Sequence, residues 1–178
     1  ISNKKKNYQA IVSGGGTAVQ QESSQSTIPT FSLSEVFAQC DITLDQVALI
    51  KTSTSGNDAG AVLSLGDSLC EMNPVFYIET DMSMTADRAV LDSQLDAYLQ
   101  MDDYLAAHDY EVCFIFDNFG NLLCKGTPET MKYIHRYMYR MEMGKSNRTF
   151  YYLYVLACRK ELEGICADAV RRYLEDYS

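Results

Sequence analysis

The chain has 178 residues, enough for one domain of ordinary size, and its 47% hydrophobic and 22% charged residues are typical of a folded globular protein rather than a disordered one. Its formal net charge is −9, from 24 acidic and 15 basic side chains, which argues against a conventional DNA-binding protein. No apolar run approaches the ~20 residues that a membrane-spanning helix needs, and no segment has the pattern of a signal peptide. We therefore expect a cytoplasmic protein with no membrane partner.

The cysteine and histidine residues exclude the common zinc sites. None of the six cysteines forms a C-x-x-C motif, and the only histidines are His108 and His135. This inventory rules out zinc knuckles and centres with three histidine ligands. Most of the cysteines lie among apolar residues, so we expect buried, reduced thiols and an intracellular protein. We predict no metal and no cofactor.

The first 30 residues differ in composition from the rest of the chain. Residues 1–30 combine three lysines and a triple glycine with a stretch rich in Gln, Ser and Thr. Such a segment buries little apolar surface, and it is predicted to be a flexible arm or a long loop. Residues 31–178 are predicted to form a single domain.

Residues 31–52 are predicted to form a helical hairpin. A capping box begins at Ser32, and apolar residues with helical spacing follow in two short runs. Residues 33–52 can also be aligned with a helix-turn-helix in which Gln46 and Lys51 face DNA. A helix-turn-helix DNA-binding regulator is therefore one alternative interpretation of the chain.

From residue 61 onward, strand and helix patterns alternate. The predicted elements are strands at 61–65, 75–80 and 110–116, a hairpin return to 126, and helices at 86–107, 128–143 and 159–176. Gly120 falls at the positive-φ position of the hairpin loop, and the resulting register pairs Phe116 with Leu122 and Phe114 with Cys124. Residues 149–156 fit either a strand or a buried helix. We predict an α+β domain in which the helices pack on one face of a mostly antiparallel sheet.

Negative charge is concentrated in the middle third of the sequence. Residues 52–124 contain thirteen acidic side chains and a single basic one, Arg88, so their net charge is −12. Three aspartates of the predicted helix 86–107 fall on one side of a helical wheel. A row of carboxylates at this spacing resembles the phosphates of a nucleic-acid strand and can occupy a cationic groove as a DNA mimic. The alternative is an ordinary solvated helix face.

We therefore predict a partner-binding surface made of acidic side chains. Its centre is formed by Asp92, Asp96 and Asp103, and its rim by Glu79, Asp81 and Asp87.

A stripe of basic residues marks the predicted helix 128–143. Lys132, Arg136 and Arg140 are spaced at four-residue intervals and are interleaved with tyrosines. Basic and aromatic residues in this pattern are candidates for contact with nucleic acid or phosphate. Two other interpretations are a cationic face over a tyrosine-rich core, and an intramolecular or homodimeric match to the acidic helix.

The sequence gives little support for an enzyme. The best candidate is a magnesium site formed by Glu79 and Asp81 with Asp117 as a third ligand. No nucleophile motif accompanies a histidine, and no converging catalytic set is present. We predict a protein that is not an enzyme and has no catalytic residues, with a metal-dependent enzyme as the weaker alternative.

The small, acidic, mixed α/β profile resembles the accessory inhibitors of phages and mobile elements, among them anti-restriction and anti-CRISPR proteins. The resemblance lies in the acidic segment 79–117 and covers about a quarter of the chain. It implies a non-enzymatic inhibitor that binds a basic, nucleic-acid-handling partner. Such a partner would be an RNA-guided nuclease whose DNA binding or cleavage is blocked.

Overall fold

A computed structural model of the chain describes residues 8–13, 16–21, 31–82, 87–143 and 151–176. Near the N-terminus, β1 (Tyr8–Ser13) and β2 (Gly16–Gln21) pair as an antiparallel two-stranded sheet. Part of the segment predicted as an arm or long loop therefore forms a hairpin, in which β-branched residues stand on both sides of the glycine run. The other residues of 1–30 lie outside the described part of the chain.

Five helices and five further strands make up the rest of the described structure. The helices are α1 (Leu33–Gln39), α2 (Asp58–Leu63), α3 (Arg88–Ala107), α4 (Pro128–Met143) and α5 (Glu163–Asp176). The strands are β3 (Leu49–Thr52), β4 (Val75–Asp81), β5 (Tyr110–Asp117), β6 (Leu122–Gly126) and β7 (Tyr152–Arg159). Short 3-10 helices lie at Leu44–Gln46, Gly66–Glu71 and Lys160–Leu162.

The five strands form one mixed sheet in the order β3-β4-β7-β5-β6. Three of the four strand pairings are antiparallel, whereas β3 and β4 run parallel and are connected through α2. The predicted α+β class is confirmed. The ambiguous segment 149–156 contributes to β7, a central strand with apolar residues on both faces, one buried and the other half-buried. It therefore lacks the alternation of polar and apolar residues that marks a half-exposed strand.

Helices cover both faces of this sheet, not one face as the sequence predicted. The main core lies between one face and helices α2, α3 and α4. A second, smaller core forms on the other face, where Cys166 and Val170 of α5 pack against Phe114 and Phe116 of β5. The physical reason is that β5 and β7 carry apolar residues in both directions, so each face needs a cover.

The predicted helical hairpin over 31–52 is wrong in its second half. Helix α1 has the predicted capping box at Ser32, but one 3-10 turn and strand β3 follow it. Ile50 and Thr52 alternate with exposed neighbours and point into the core, which is a strand pattern. Residues 31–82 therefore contain no helix-turn-helix. The short strand predicted at 61–65 is also wrong, because α2 covers most of that run.

The hairpin between β5 and β6 has the predicted turn. Gly120 adopts a φ of +86°, and Phe116 pairs with Leu122 as expected. An irregularity between Ile115 and Phe116 then shifts the register, so that Cys124 pairs with Ile115 rather than with Phe114. The six cysteines, all within the described residues, are free.

We expect Gly120→Ala to lower the free energy of unfolding by about 1–2 kcal/mol, because a side chain is strained at positive φ. An added Cβ would also clash with the Tyr173 hydroxyl oxygen, which must then move. The matched control is Gly60→Ala in α2, where no atom lies within 4 Å of the added carbon. Urea unfolding should show the control unchanged or more stable, and an equal loss in both variants would contradict the assignment.

Candidate functional site

Helix α3 carries the acidic residues singled out from the sequence. Asp87 caps its start, where Oδ1 accepts a hydrogen bond from the Ala89 amide at 2.9 Å, and the helix then runs for 20 residues. Its buried side packs into the main core, so the opposite side faces solvent. The solvent side carries three aspartates, here called the acidic face. These are Asp92, Asp96 and Asp103.

The three aspartates of the acidic face are exposed, as the helical wheel predicts, but two of them already have partners. Lys132 of α4 lies 2.6 Å from Asp103, and the Tyr139 hydroxyl of α4 donates to Asp92. Nε of Arg88 also lies near Asp92, at 4.0 Å from its Oδ2. Asp96 is exposed and forms no hydrogen bond or ion pair with the described residues. The acidic face is thus partly neutralised within the chain.

The contacts between α3 and α4 show that the two helices run antiparallel, with an acidic edge beside a basic one. Asp103 and then Glu129, which lies 3.0 Å from the ammonium, hold the pKa of Lys132 above its ordinary value. The hydrogen bond to Asp92 raises the pKa of Tyr139. For Lys132, the structure therefore matches the intramolecular interpretation of the basic stripe.

The rest of the basic stripe remains at the surface. Arg136 and Arg140 are exposed and form no ion pair within the described residues. Tyr133 and Tyr137 are also exposed, with 66% and 49% of their surface accessible. Lys132 thus differs from the two arginines, because it is paired with carboxylates and they form no ion pair within the described residues.

The predicted rim of the acidic face does not assemble. Glu79 and Asp81 are buried at the end of β4, where the Ser53 hydroxyl donates to Glu79 at 2.7 Å. Asp87 alone among the rim residues is exposed, and it caps α3. Helical periodicity could not predict the positions of these rim residues, because Glu79 and Asp81 belong to a strand.

The candidate magnesium site does not assemble either. Asp117 accepts hydrogen bonds from the Phe119 amide at 2.9 Å and the Asn121 amide at 2.8 Å, so its carboxylate organises the hairpin turn. Although burial acts in the opposite direction, the hydrogen bonds from Asn121 and Phe119 lower the pKa of Asp117. Within the described residues, no group of three histidine, cysteine or acidic side chains is placed to hold a metal ion.

A buried hydrogen bond between a histidine of α4 and an aspartate of α3 was not predicted. Nδ1 of His135 lies 2.9 Å from Oδ2 of Asp102, and both side chains are almost fully buried. The ring of Tyr98 packs 4.7 Å from the imidazole. Burial raises the pKa of Asp102, and the hydrogen bond from His135 opposes that shift. The available signal was the spacing of Asp102, four residues after Tyr98 on the apolar side of the helix.

Among the described residues, no helix combines the length and the apolar character needed to cross a lipid bilayer. Comparison of the chain with family models, with curated proteins and with solved structures finds no match. The functional argument therefore starts from the residues described above.

Proposed function

We propose that the chain is a non-enzymatic binding protein whose acidic face engages a basic, nucleic-acid-handling partner. The observation that carries this proposal is the exposure of Asp92, Asp96 and Asp103 on the solvent side of one helix. This helix lies within a segment of net charge −12. A cationic groove built for DNA or RNA has the complementary charge.

The partners that Asp92 and Asp103 already have leave the acidic face able to bind. Exposed ion pairs contribute only about 0–1 kcal/mol each, because both charges are well solvated when apart. The Asp92 side chain is 52% exposed and the Asp103 side chain is 70% exposed, so both can exchange partners. Asp96 has no partner to exchange among the residues that the structure describes, and it is the strongest single candidate.

Fewer acidic residues can contact a partner than the sequence suggested. Glu79 and Asp81 are too buried to touch a partner, so the proposed surface comprises the acidic face and Asp87 at the start of the helix. Along α3 the three aspartates are spaced about 6 Å and 10 Å apart, the same order as phosphates on a strand.

The test is to add the purified chain to an RNA-guided nuclease and its DNA target, and to measure DNA binding and cleavage. We expect inhibition that weakens steeply as the salt concentration rises, because charge complementarity drives the association. The double variant Asp92→Lys with Asp96→Lys should weaken inhibition more than tenfold. Lys132→Glu should leave it unchanged or stronger.

The matched control changes the same amount of charge on the other side of the sheet. Asp168 and Glu175 of α5 are exposed, and both pair with Arg171. The double variant Asp168→Lys with Glu175→Lys should inhibit like the unmodified chain. An equal loss from both double variants, the absence of a salt effect, or the absence of inhibition would contradict the proposal. Homodimerisation, measured by sedimentation, would instead favour the self-association alternative.

A further inference from the structure

A cavity of about 190 Å³ that opens to solvent lies between the sheet and α5, on the side of the sheet away from the acidic face. Three aromatic rings from three separate elements line it, namely Tyr77 of β4, Phe116 of β5 and Tyr173 of α5. Leu156 and Val170 contribute aliphatic surface. None of the described side chains that line it is charged.

The aromatic walls are held in place by neighbouring rings. Phe116 and Tyr173 meet edge to face, with ring centroids 6.0 Å apart. Tyr77 stacks nearly parallel to Tyr154 at 5.1 Å. These contacts already fix the ring positions. The entropic cost of ordering the walls when a molecule binds is therefore small.

One polar group on the wall is available to a ligand. The hydroxyl of the half-buried Tyr77 forms no hydrogen bond within the described residues. Burial, followed by the nearby Tyr173 and Glu79, raises the pKa of Tyr77, so the hydroxyl stays protonated and can donate. An apolar ligand with a single acceptor would satisfy it.

We propose that this cavity binds a small planar aromatic molecule carrying one polar group that reaches the Tyr77 hydroxyl. An apolar cavity of about 150 Å³ is large enough to bind benzene, so the volume is sufficient for one ring. Aromatic walls favour a flat π-system through edge-to-face and offset stacking. The uncharged lining excludes an ionic ligand, whose desolvation would have no compensation.

Phenol is the probe for this site, and cyclohexanol is its non-aromatic control of similar size. In an NMR titration we expect phenol to shift the resonances of Tyr77, Phe116 and Tyr173, and to bind at least tenfold more tightly than cyclohexanol. Tyr77→Phe should weaken phenol binding and leave benzene binding unchanged. Equal binding of phenol and cyclohexanol, or no shift with phenol, would overturn the proposal.

A second variant tests the location without removing any contact. Ala169 lines the cavity at an exposed position of α5, so Ala169→Leu fills the space while the helix is kept. We expect this change to reduce phenol affinity more than tenfold. The matched control, Ala107→Leu at the exposed end of α3, should have no effect. Unchanged phenol binding in Ala169→Leu would place the ligand elsewhere and refute the site.

Discussion

Replacing His135 with alanine is expected to lower the free energy of unfolding by about 3–5 kcal/mol, because the Asp102 carboxyl is then buried without its partner. Both side chains of this pair are almost fully buried, and neither can reach water without opening the contact between α3 and α4. The loss of the imidazole also leaves a cavity beside Tyr98. Urea unfolding followed by circular dichroism measures the change.

A double variant separates the two contributions to that loss, which are the unpaired Asp102 carboxyl and the cavity left by the imidazole. The double variant Asp102→Leu with His135→Leu removes both polar groups and fills the space, so it should be much more stable than His135→Ala. A double-mutant cycle over the pair should give a coupling energy of about 0.5–3 kcal/mol. A loss below about 1 kcal/mol for His135→Ala would show that the pair is not buried as described.

Phe76→Ala is expected to cost about 3–5 kcal/mol, the usual range for deleting a buried aromatic ring. Phe76, the second residue of β4, is fully buried and packs against Tyr110, with ring centroids 5.1 Å apart. The removed ring leaves a cavity in the main core that rigid strands on both sides cannot fill.

The matched control for the core variant is Phe119→Ala. Phe119 is 70% exposed in the hairpin loop, so its removal should change stability by less than about 0.5 kcal/mol. Similar effects of the two substitutions on the urea midpoint would contradict the placement of Phe76 in the core.

The elements that the sequence predicted well are those specified by local signals. Helices α3 and α4 are long and amphipathic, and α4 begins at Pro128 directly after Thr127, as the start signal predicts. The turn at Gly120 follows from a single residue that adopts positive φ. By contrast, β3 and α2 are short, and their apolar residues fit more than one period.

Features that depend on distant pairing were the ones missed. The position of β7, the packing of α5 on the opposite face and the burial of Asp102 against His135 all join segments far apart in the sequence. The same limit applies to the acidic face. A helical wheel predicts that its aspartates share a side, but the ion pair from Lys132 requires an antiparallel neighbour that no local pattern specifies.

The central position of β7 determines when the sheet can be completed during folding. Strands β4 and β5 each need β7 as their hydrogen-bonded neighbour, yet β7 follows both of them in the sequence. Until residues 152–159 pair, the two halves of the sheet present open edges. The sheet can therefore be completed only once β7 is in place, and chains in which β7 has not yet paired are exposed to edge-to-edge association.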